Sequence, residues 1–330
     1  MSGATAVDAG TSAVVCRGLS KRFGTGRDSV LAVDRLELDV PRGSVFGLLG
    51  PNGAGKTTTL RLITGLARPT AGAVLVDGVP VAADHPETRG SIGVLDQAPR
   101  YYGWMRGREL VELGARLAGL DGPTARRRTT DVLDRVGLGE AGARRIGGYS
   151  GGMRQRLGIA AALVAEPALL VLDEPVSSLD PEGRRDLLAL IADLRGTATV
   201  LFSTHVLDDV ERICDRVGIL SEGRLVAEAP LAELLTRYAG SRYRIVPEAG
   251  QAAAVEAFRA GLAGTAWCES VTGDGGSLVV AVTDEDAASA GLLPRVVDAG
   301  LRIERFERAR PTLEEVFLTL VRRDDGEAAR

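Results

Sequence analysis

Residues 45–57 read VFGLLGPNGAGKT, an apolar run followed by a glycine-rich turn and by the pair Lys56-Thr57. The apolar run Val45–Leu49 predicts a strand buried on both faces, because such strands lose the polar alternation of a half-exposed strand. A helix is predicted over residues 57–66. The stretch therefore predicts a strand, a tight turn and a helix, the repeating unit of a parallel α/β sheet.

The turn fits the pattern G-x-x-x-x-G-K-[ST], known as the P-loop. Its glycines let successive backbone N–H groups point at phosphate oxygens, and the dipole of the following helix favours the same negative charge. We expect Lys56 to reach the β- and γ-phosphates of a nucleotide and the Thr57 hydroxyl to bind Mg²⁺. A chance turn is the alternative in a chain with 42 glycines. The flanking strand and helix oppose it, and so does Lys56, one of only two lysines among 40 basic residues.

Residues 169–174, LLVLDE, form a second apolar run, and this one ends in two carboxylates. Alone, such a pair is more often a solvated strand end than a catalytic site. Together with a P-loop it predicts phosphoryl-transfer chemistry. We then expect Asp173 to hold Mg²⁺ through water and Glu174 to polarise the attacking water.

Residues 149–156, YSGGMRQR, open a predicted helix with Ser150 as its N-cap. Taken alone, a plain helix start after a glycine-rich loop accounts for the segment equally well. Its place in the chain makes it specific, because Ser-Gly-Gly stands about twenty residues before the second apolar run. This combination resembles the signature segment of ABC-type ATPases.

The other segments typical of that family follow in order. Gln97 resembles the Q-loop glutamine, and residues 177–180 (SSLD) resemble the D-loop. His205 resembles the switch histidine, although a lone histidine is usually structural. The resemblance covers residues 12–238. It implies that Phe23 stacks on the adenine ring. The residues that it implies as nucleotide contacts are Phe23, Gly50, Pro51, Asn52, Gly53, Ala54, Gly55, Lys56, Thr57, Thr58, Gln97, Ser150, Gly151, Gly152 and Asp180. It also implies Thr57, Gln97 and Asp173 as metal ligands. The catalytic residues that it implies are Glu174, His205 and Lys56.

Three positions depart from the family's common pattern: Tyr149 stands where Leu is usual, Met153 where Gln is commoner, and Phe23 where Tyr is commoner. The core Ser150-Gly151-Gly152, which contacts the γ-phosphate in the family, is intact, so the resemblance implies an active ATPase. The Tyr-Ser-Gly-Gly-Met form and the segment PTLEEVF at 311–317 resemble the ATPases of antibiotic and drug exporters.

Two domains are predicted, at residues 12–238 and 241–323. The first is α/β and, by this resemblance, is expected to be a P-loop NTPase of ABC type with a helical subdomain. It has a helical, arginine-rich region over 107–146 that is broken at Gly122-Pro123. The second follows the order strand, helix, strand, strand, helix, strand, which is that of a small ferredoxin-like α+β domain. It ends in a helix with a capping box at Thr312 and Glu315 and one apolar stripe.

Composition restricts the class of protein. The chain has 330 residues, 45% of them hydrophobic and 25% charged, as in an ordinary globular protein. No segment has the roughly 18 uncharged apolar residues of a spanning helix, and no secretory signal is recognised. A net charge of −4 excludes the broad basic surface of a dedicated nucleic-acid binder. The three cysteines are far apart and have no metal-ligand spacing, so we expect a cytosolic protein.

The resemblance implies an ATP-hydrolysing subunit, with ATP and Mg²⁺ as cofactors, that powers export of a small molecule through a separately encoded membrane permease. It also implies a second ATPase subunit, most simply a second copy of this chain, and a place on the cytoplasmic face of the membrane. The alternatives are a soluble ABC ATPase that acts on nucleic acid or ribosomes, and an importer ATPase. The first usually carries two ATPase domains or long coiled-coil insertions, and neither is recognised here.

Two smaller features remain open. Tyr101, Tyr102 and Trp104, just after Gln97, form either a contact surface or ordinary loop packing. The run Arg126–Arg128 is predicted to lie on a solvated helix face.

Overall fold

The computed structural model describes residues 11–81, 91–238, 241–273, 276–309, 312–317 and 320. These residues form two compact units, and the division falls between Leu231 and Ala232. It therefore lies a few residues before the predicted boundary near 240. The ranges 12–238 and 241–323 stay a prediction.

The first unit combines two sheets with helices. Its strands are β1 (Ser12–Phe23), β2 (Val30–Pro41), β3 (Val45–Leu49), β4 (Ala71–Val76), β5 (Val79–Pro80), β6 (Ile92–Leu95), β7 (Leu169–Asp173), β8 (Thr199–Thr204), β9 (Arg216–Ser221) and β10 (Arg224–Pro230). Its helices are α1 (Lys56–Ile63), α2 (Gly107–Leu117), α3 (Gly122–Arg135), α4 (Gly151–Leu163), α5 (Pro181–Ala192) and α6 (Leu207–Ile213). A further helix, α7 (Leu231–Tyr238), begins at the division.

The central sheet has the strand order β10-β9-β3-β8-β7-β6. Its strands from β9 to β6 are parallel, and β10 pairs antiparallel with β9. Every residue of β3, β7 and β8 is buried, as expected for strands covered on both faces. Because parallel strands end at one edge, the turns after these three strands meet there, which is where α/β sheets bind ligands.

The second sheet is antiparallel, with the order β2-β1-β4-β5. Strand β1 is three times as long as the four residues Ala13–Cys16 predicted for it, because it pairs with β2 along its whole length. Register shifts interrupt this pairing after Cys16 and Leu19, and they break the alternation of apolar and polar residues that reveals a strand in sequence. The pairing places Phe23 opposite Val30.

The predicted helical subdomain is present as α2 and α3, which pack on each other and on α4. The helices are interrupted slightly before the predicted position Gly122-Pro123. Helix α2 ends at Leu117, and α3 begins at Gly122. Asp121 caps α3 by accepting a hydrogen bond from the Thr124 backbone N–H at 2.9 Å, and proline is well tolerated in this first turn. Arg126 and Arg127 are exposed as predicted, whereas Arg128 forms an ion pair with Glu166 at 2.6 Å.

The described residues between 241 and 309, within the second unit, form four strands and two helices in the predicted order: β11 (Ser241–Pro247), α8 (Ala252–Leu262), β12 (Cys268–Gly273), β13 (Leu278–Val282), α9 (Glu285–Asp298) and β14 (Ile303–Ala309). The antiparallel sheet order β12-β13-β11-β14 is that of the ferredoxin-like fold. Its core is apolar and centres on Ile245, Phe258, Val280 and Leu292, all of which are fully buried.

The terminal helix occupies residues 313–317 and 320 of the described chain. Thr312 and Glu315 make both hydrogen bonds of the predicted capping box, each at 3.4 Å. Leu313, Val316 and Leu320 of the predicted stripe are buried within the single chain, so a second subunit is not needed to cover them. Phe317 is half-buried, and Val321 of the same stripe lies outside the described residues.

In the described part of the chain, no helix has both the length and the apolar character required to cross a membrane.

Candidate functional site

The P-loop connects β3 to α1, as the sequence predicts. Gly55 stands at the N-terminus of α1 with a left-handed backbone, φ 99°, and a side chain at this position would collide with the Ala32 carbonyl oxygen. Helix α1 has no side-chain cap at Gly55, so its first amides are left for another acceptor. The turn therefore presents a helix N-terminus that favours an anion.

Lys56 lies inside this turn. Its Nζ donates hydrogen bonds to the carbonyl oxygens of Gly50 at 2.7 Å and Pro51 at 3.0 Å. Burial lowers the pKa of Lys56, while the charges of Glu174 and Asp173 act in the opposite direction. The ammonium is thus held within the loop, close to two carboxylates.

A cavity of about 360 Å³ adjoins the turn, a volume within the usual range for small-molecule sites. Its lining combines residues from distant parts of the chain: Ala32, Asn52, Gly53, Gly55, Lys56, Thr57, Thr58, Gln97 and Glu174. The structure thereby brings the P-loop together with Gln97 and Glu174. A cleft of about 450 Å³ at the end of α3 contains none of the predicted site residues, so size alone does not identify the site.

The two carboxylates follow β7, where Asp173 is the last residue of the strand. Glu174 has a left-handed backbone with φ 48°, which is uncommon for a residue that is not glycine. The Ser203 hydroxyl donates a hydrogen bond to Asp173 Oδ1 at 2.5 Å and accepts one from the Glu174 N–H at 3.0 Å. The Asp173 carboxylate and the Glu174 backbone are therefore connected to one side chain of the neighbouring strand β8.

His205 contacts Glu174 directly. The distance from His205 Nδ1 to Glu174 Oε1 is 2.9 Å, and the Glu174 side chain is only 8% exposed, whereas that of His205 is 51% exposed. The two atoms are within hydrogen-bonding distance, and Nδ1 is the donor when the carboxylate is ionised. The half-exposed imidazole thus contacts a carboxylate that is almost fully buried.

The carbonyl group of Glu174 is held as well. It accepts hydrogen bonds from the Ser177 hydroxyl at 3.1 Å and from Gln155 Nε2 at 3.4 Å. Gln155 belongs to α4, the helix that Ser150 caps. Ser203, Gln155 and Ser177 were not among the predicted site residues. Only the pairing of Asp173 with Ser203 across β7 and β8 could have indicated the first of them.

Several predicted site residues are absent from the lining of this cavity. Ser150 accepts a hydrogen bond from the Met153 N–H at 3.2 Å and caps α4, as predicted. Asp180 caps α5 by accepting from the Gly183 N–H at 3.0 Å. Phe23 is 48% exposed, with Lys21 Nζ 5.0 Å from the centre of its ring. The signature segment, the D-loop aspartate and Phe23 thus do not line the cavity of this single chain.

Tyr149, the unusual first residue of the signature segment, is buried. Its hydroxyl donates a hydrogen bond to the Ala141 carbonyl oxygen at 2.6 Å, and burial raises the pKa of the phenol. A side chain at Gly107, the first residue of α2, would collide with the Tyr149 hydroxyl. The tyrosine therefore connects the signature segment to the helical subdomain and requires glycine at 107.

The aromatic residues after Gln97 behave differently from one another. Tyr101 is half-buried, and burial raises its pKa, which is typical of packing. Tyr102 and Trp104 are 65% and 70% exposed, with ring centroids 5.8 Å apart. Of these three aromatic residues, only Tyr102 and Trp104 form an exposed pair.

Comparison with known families agrees with both units. The family described as "ABC transporter" matches residues 33–177. The family described as "ATP-binding protein DrrA1-3-like, C-terminal domain" matches residues 230–321. The matches thus fall on the P-loop unit and on the ferredoxin-like unit.

Individual proteins are similar along almost the whole chain. Daunorubicin resistance ATP-binding protein DrrA3 of Streptomyces coeruleorubidus is 39% identical, over 94% of this chain and 96% of its own. Doxorubicin resistance ATP-binding protein DrrA of Mycobacterium tuberculosis is 34% identical, over 93% of each chain. The ATP-binding cassette MJ0796, solved as a dimer in a post-hydrolysis state with ADP and Pi, has a TM-score of 0.62 and 26% identity, over 66% of this chain and 98% of its own.

These similarities confirm the predicted P-loop ATPase fold. They also make nucleotide the ligand of this protein class. The chain belongs to the ABC transporter family and is one of its ATP-binding, ATP-hydrolysing proteins.

Proposed function

We propose that the chain is the ATP-hydrolysing subunit of an exporter and that it powers outward transport of a drug, an antibiotic or a lipid-like molecule through a separate membrane permease. One observation carries this proposal: residues 230–321 match the C-terminal domain of DrrA1-3-like ATP-binding proteins. The similarity to proteins named for daunorubicin and doxorubicin resistance supports it along both units. An importer would not account for the likeness of this second unit to resistance proteins.

The cavity beside the P-loop fits the phosphates of ATP. The free backbone N–H groups at the N-terminus of α1 favour bound phosphate, and Lys56 supplies a positive charge at the same place. Phe23 lies at the end of β1, and we assign adenine stacking to its half-exposed ring. Its exposure supports this role, because an aromatic ring in the core could not stack on a ligand.

The donor set also fits Mg²⁺, which prefers oxygen ligands and one or two carboxylates. The Thr57 and Gln97 side chains line the cavity. The Asp173 carboxylate lies at the end of strand β7, next to Glu174. When bound, the ion supplies neutralisation of the phosphate charge. Asp173, Thr57 and Gln97 are the residues that would hold it.

Glu174 is the residue best placed to orient the attacking water. Its carboxylate lines the cavity and accepts a hydrogen bond from His205 Nδ1 at 2.9 Å. The half-exposed His205 ring holds the carboxylate in one orientation, and we assign to it the sensing of the γ-phosphate. Lys56 and the loop amides stabilise the negative charge of the transferring group.

A second copy of the chain completes the site in this proposal. Ser150, Gly151, Gly152 and Asp180 do not line the cavity that contains Lys56 and Glu174. The chain has one signature segment and one P-loop, so a two-fold pair would place each signature segment over the partner's nucleotide. The dimeric state of the similar cassette MJ0796 supports this arrangement.

The permease is the other proposed partner, and it would hold the chain at the cytoplasmic face of the membrane as a peripheral subunit. The exposed pair Tyr102 and Trp104 follows Gln97 closely in sequence and immediately precedes the helical subdomain. Aromatic residues are enriched where proteins meet, and an exposed pair is a suitable contact for a membrane subunit. We therefore assign the transmission of motion to Gln97 and the adjoining region 107–146.

The domain at 241–323 carries no nucleotide contact in this proposal, and its role is to assist or regulate the pairing of subunits. Its own apolar core is complete, which supports a domain that folds independently. A role on nucleic acid or ribosomes has less support, because the chain carries a net charge of −4.

The proposal is tested by transport in inverted membrane vesicles that contain the chain and its permease. We expect ATP to drive accumulation of doxorubicin inside these vesicles or, if the substrate belongs to another class, of one of a panel of amphipathic antibiotics. Vesicles with Glu174→Gln should not accumulate it. ATP-dependent movement only in the opposite direction, or none with the panel in vesicles that hydrolyse ATP, would contradict the export function.

A further inference from the structure

Glu174 holds an unfavourable backbone conformation at the centre of the proposed catalytic site. A left-handed φ of 48° at a residue with a side chain persists only where the surroundings enforce it. The side chain is almost fully buried and directed to the cavity. The contacts that enforce this conformation therefore decide where the carboxylate lies.

Ser203 makes the contact that connects the two carboxylate residues. A hydroxyl group has one proton to donate and lone pairs to accept, and Ser203 uses both capacities. It donates to Asp173 Oδ1 at 2.5 Å and accepts from the Glu174 N–H at 3.0 Å. The same N–H also donates to the Ser203 carbonyl oxygen at 3.2 Å, so the hydroxyl is what adds the connection to Asp173. A methyl group could do neither, and a thiol is a weak donor and a weak acceptor.

The register of the sheet produces this contact. Asp173 and Ser203 are direct partners in the parallel pairing of β7 and β8, and Ser203 is fully buried there. His205, which holds the Glu174 carboxylate, follows two residues later on the same segment. Ser203 and His205, at the carboxyl end of β8, thus contact the Asp173 side chain and both the backbone and the side chain of Glu174.

We propose that Ser203 is a positioning residue for ATP hydrolysis: its hydroxyl fixes the Asp173 carboxylate relative to the Glu174 backbone, and so aligns the residue that would hold Mg²⁺ with the residue that would orient water. This inference rests on the roles proposed above for Asp173 and Glu174. Ser203 touches neither nucleotide nor water in this account and acts only through those two residues.

The proposal predicts a specific kinetic result for Ser203→Ala. We expect kcat to fall about tenfold, as the loss of a hydrogen bond to a charged group commonly does. We expect the KM for ATP, and the ATP affinity measured by calorimetry without Mg²⁺, to stay within about twofold of wild type, because the P-loop contacts are unchanged. Ser203→Cys, which keeps the volume but weakens both hydrogen bonds, should be nearly as slow.

Thr199→Val is the matched control. Thr199 is a buried residue of the same strand, and its hydroxyl accepts a hydrogen bond from the Gly43 N–H at 3.0 Å, away from both carboxylates. This variant should keep wild-type kcat. Thermal unfolding of all three variants shows whether a loss of rate reflects a loss of structure.

Wild-type kcat in Ser203→Ala or in Ser203→Cys would overturn the proposal, and so would an equal loss of kcat in Thr199→Val. A weakened ATP affinity without loss of kcat would also overturn it, because the serine would then serve binding. Glu174→Gln, measured beside these variants, distinguishes a failure of the role proposed for Ser203 from a failure of the catalytic role proposed for Glu174. If that variant stops hydrolysis while Ser203→Ala does not, only the role of Ser203 fails.

Discussion

Replacement of Glu174 by glutamine is expected to lower ATP turnover at least about a hundredfold, the range in which a general base contributes. ATP binding should persist, because the amide fills the same space beside the cavity and the P-loop is unchanged. The glutamine side chain cannot accept the proton of the attacking water. Steady-state hydrolysis and calorimetric binding of ATP measure the two effects separately.

Glu166→Gln is the control for this prediction. Glu166 is also an acidic residue with a left-handed backbone, φ 52°, but its side chain is exposed and pairs with Arg128 away from the P-loop. This variant should hydrolyse ATP at the wild-type rate. Turnover close to wild type in Glu174→Gln would remove Glu174 from the catalytic role.

Replacement of Lys56 by alanine is expected to lower ATP affinity at least about tenfold. The change removes a buried positive charge and two hydrogen bonds to P-loop carbonyls. The other lysine cannot compensate, because Lys21 Nζ donates to the Arg68 carbonyl oxygen beside the ring of Phe23. Calorimetric titration with ATP measures the loss.

Arg116→Ala provides the comparison for Lys56. It removes a basic residue that pairs with Glu112 on the exposed surface of α2, so ATP affinity should not change. Unchanged affinity in Lys56→Ala itself would contradict the assignment of the P-loop.

The fully buried strands were the part of the fold that sequence predicted best. Strand β3 has the bounds predicted for it, and β7 lies within the predicted apolar run at 169–174, because a short unbroken apolar run is typical of a strand covered on both faces. Strand β1 was predicted too short, since its irregular register hides the alternation. Helix α6 was missed, because its seven residues are too short for a clear helical period.

The candidate site divides in the same way. Lys56 and Glu174 are predicted from local segments and Gln97 from the family resemblance, and the structure gathers all three around one cavity. Ser203 and Gln155 were not identified, because their contacts with Asp173 and Glu174 depend on sheet register and on helix placement. Neither the sheet register nor the helix placement can be derived from the spacing of residues in the sequence. Tyr149 was recognised only as a departure, and its partner Gly107 emerged from three-dimensional packing.

The dependence of ATPase activity on protein concentration tests the composite site most directly. Each cavity contains the P-loop, Gln97 and Glu174 but no residue of the signature segment, so one chain alone should have an incomplete site. We predict that the specific activity rises with concentration and levels off together with the dimer fraction measured by sedimentation. A specific activity that is independent of concentration, in a protein that sediments as a monomer, would contradict the account.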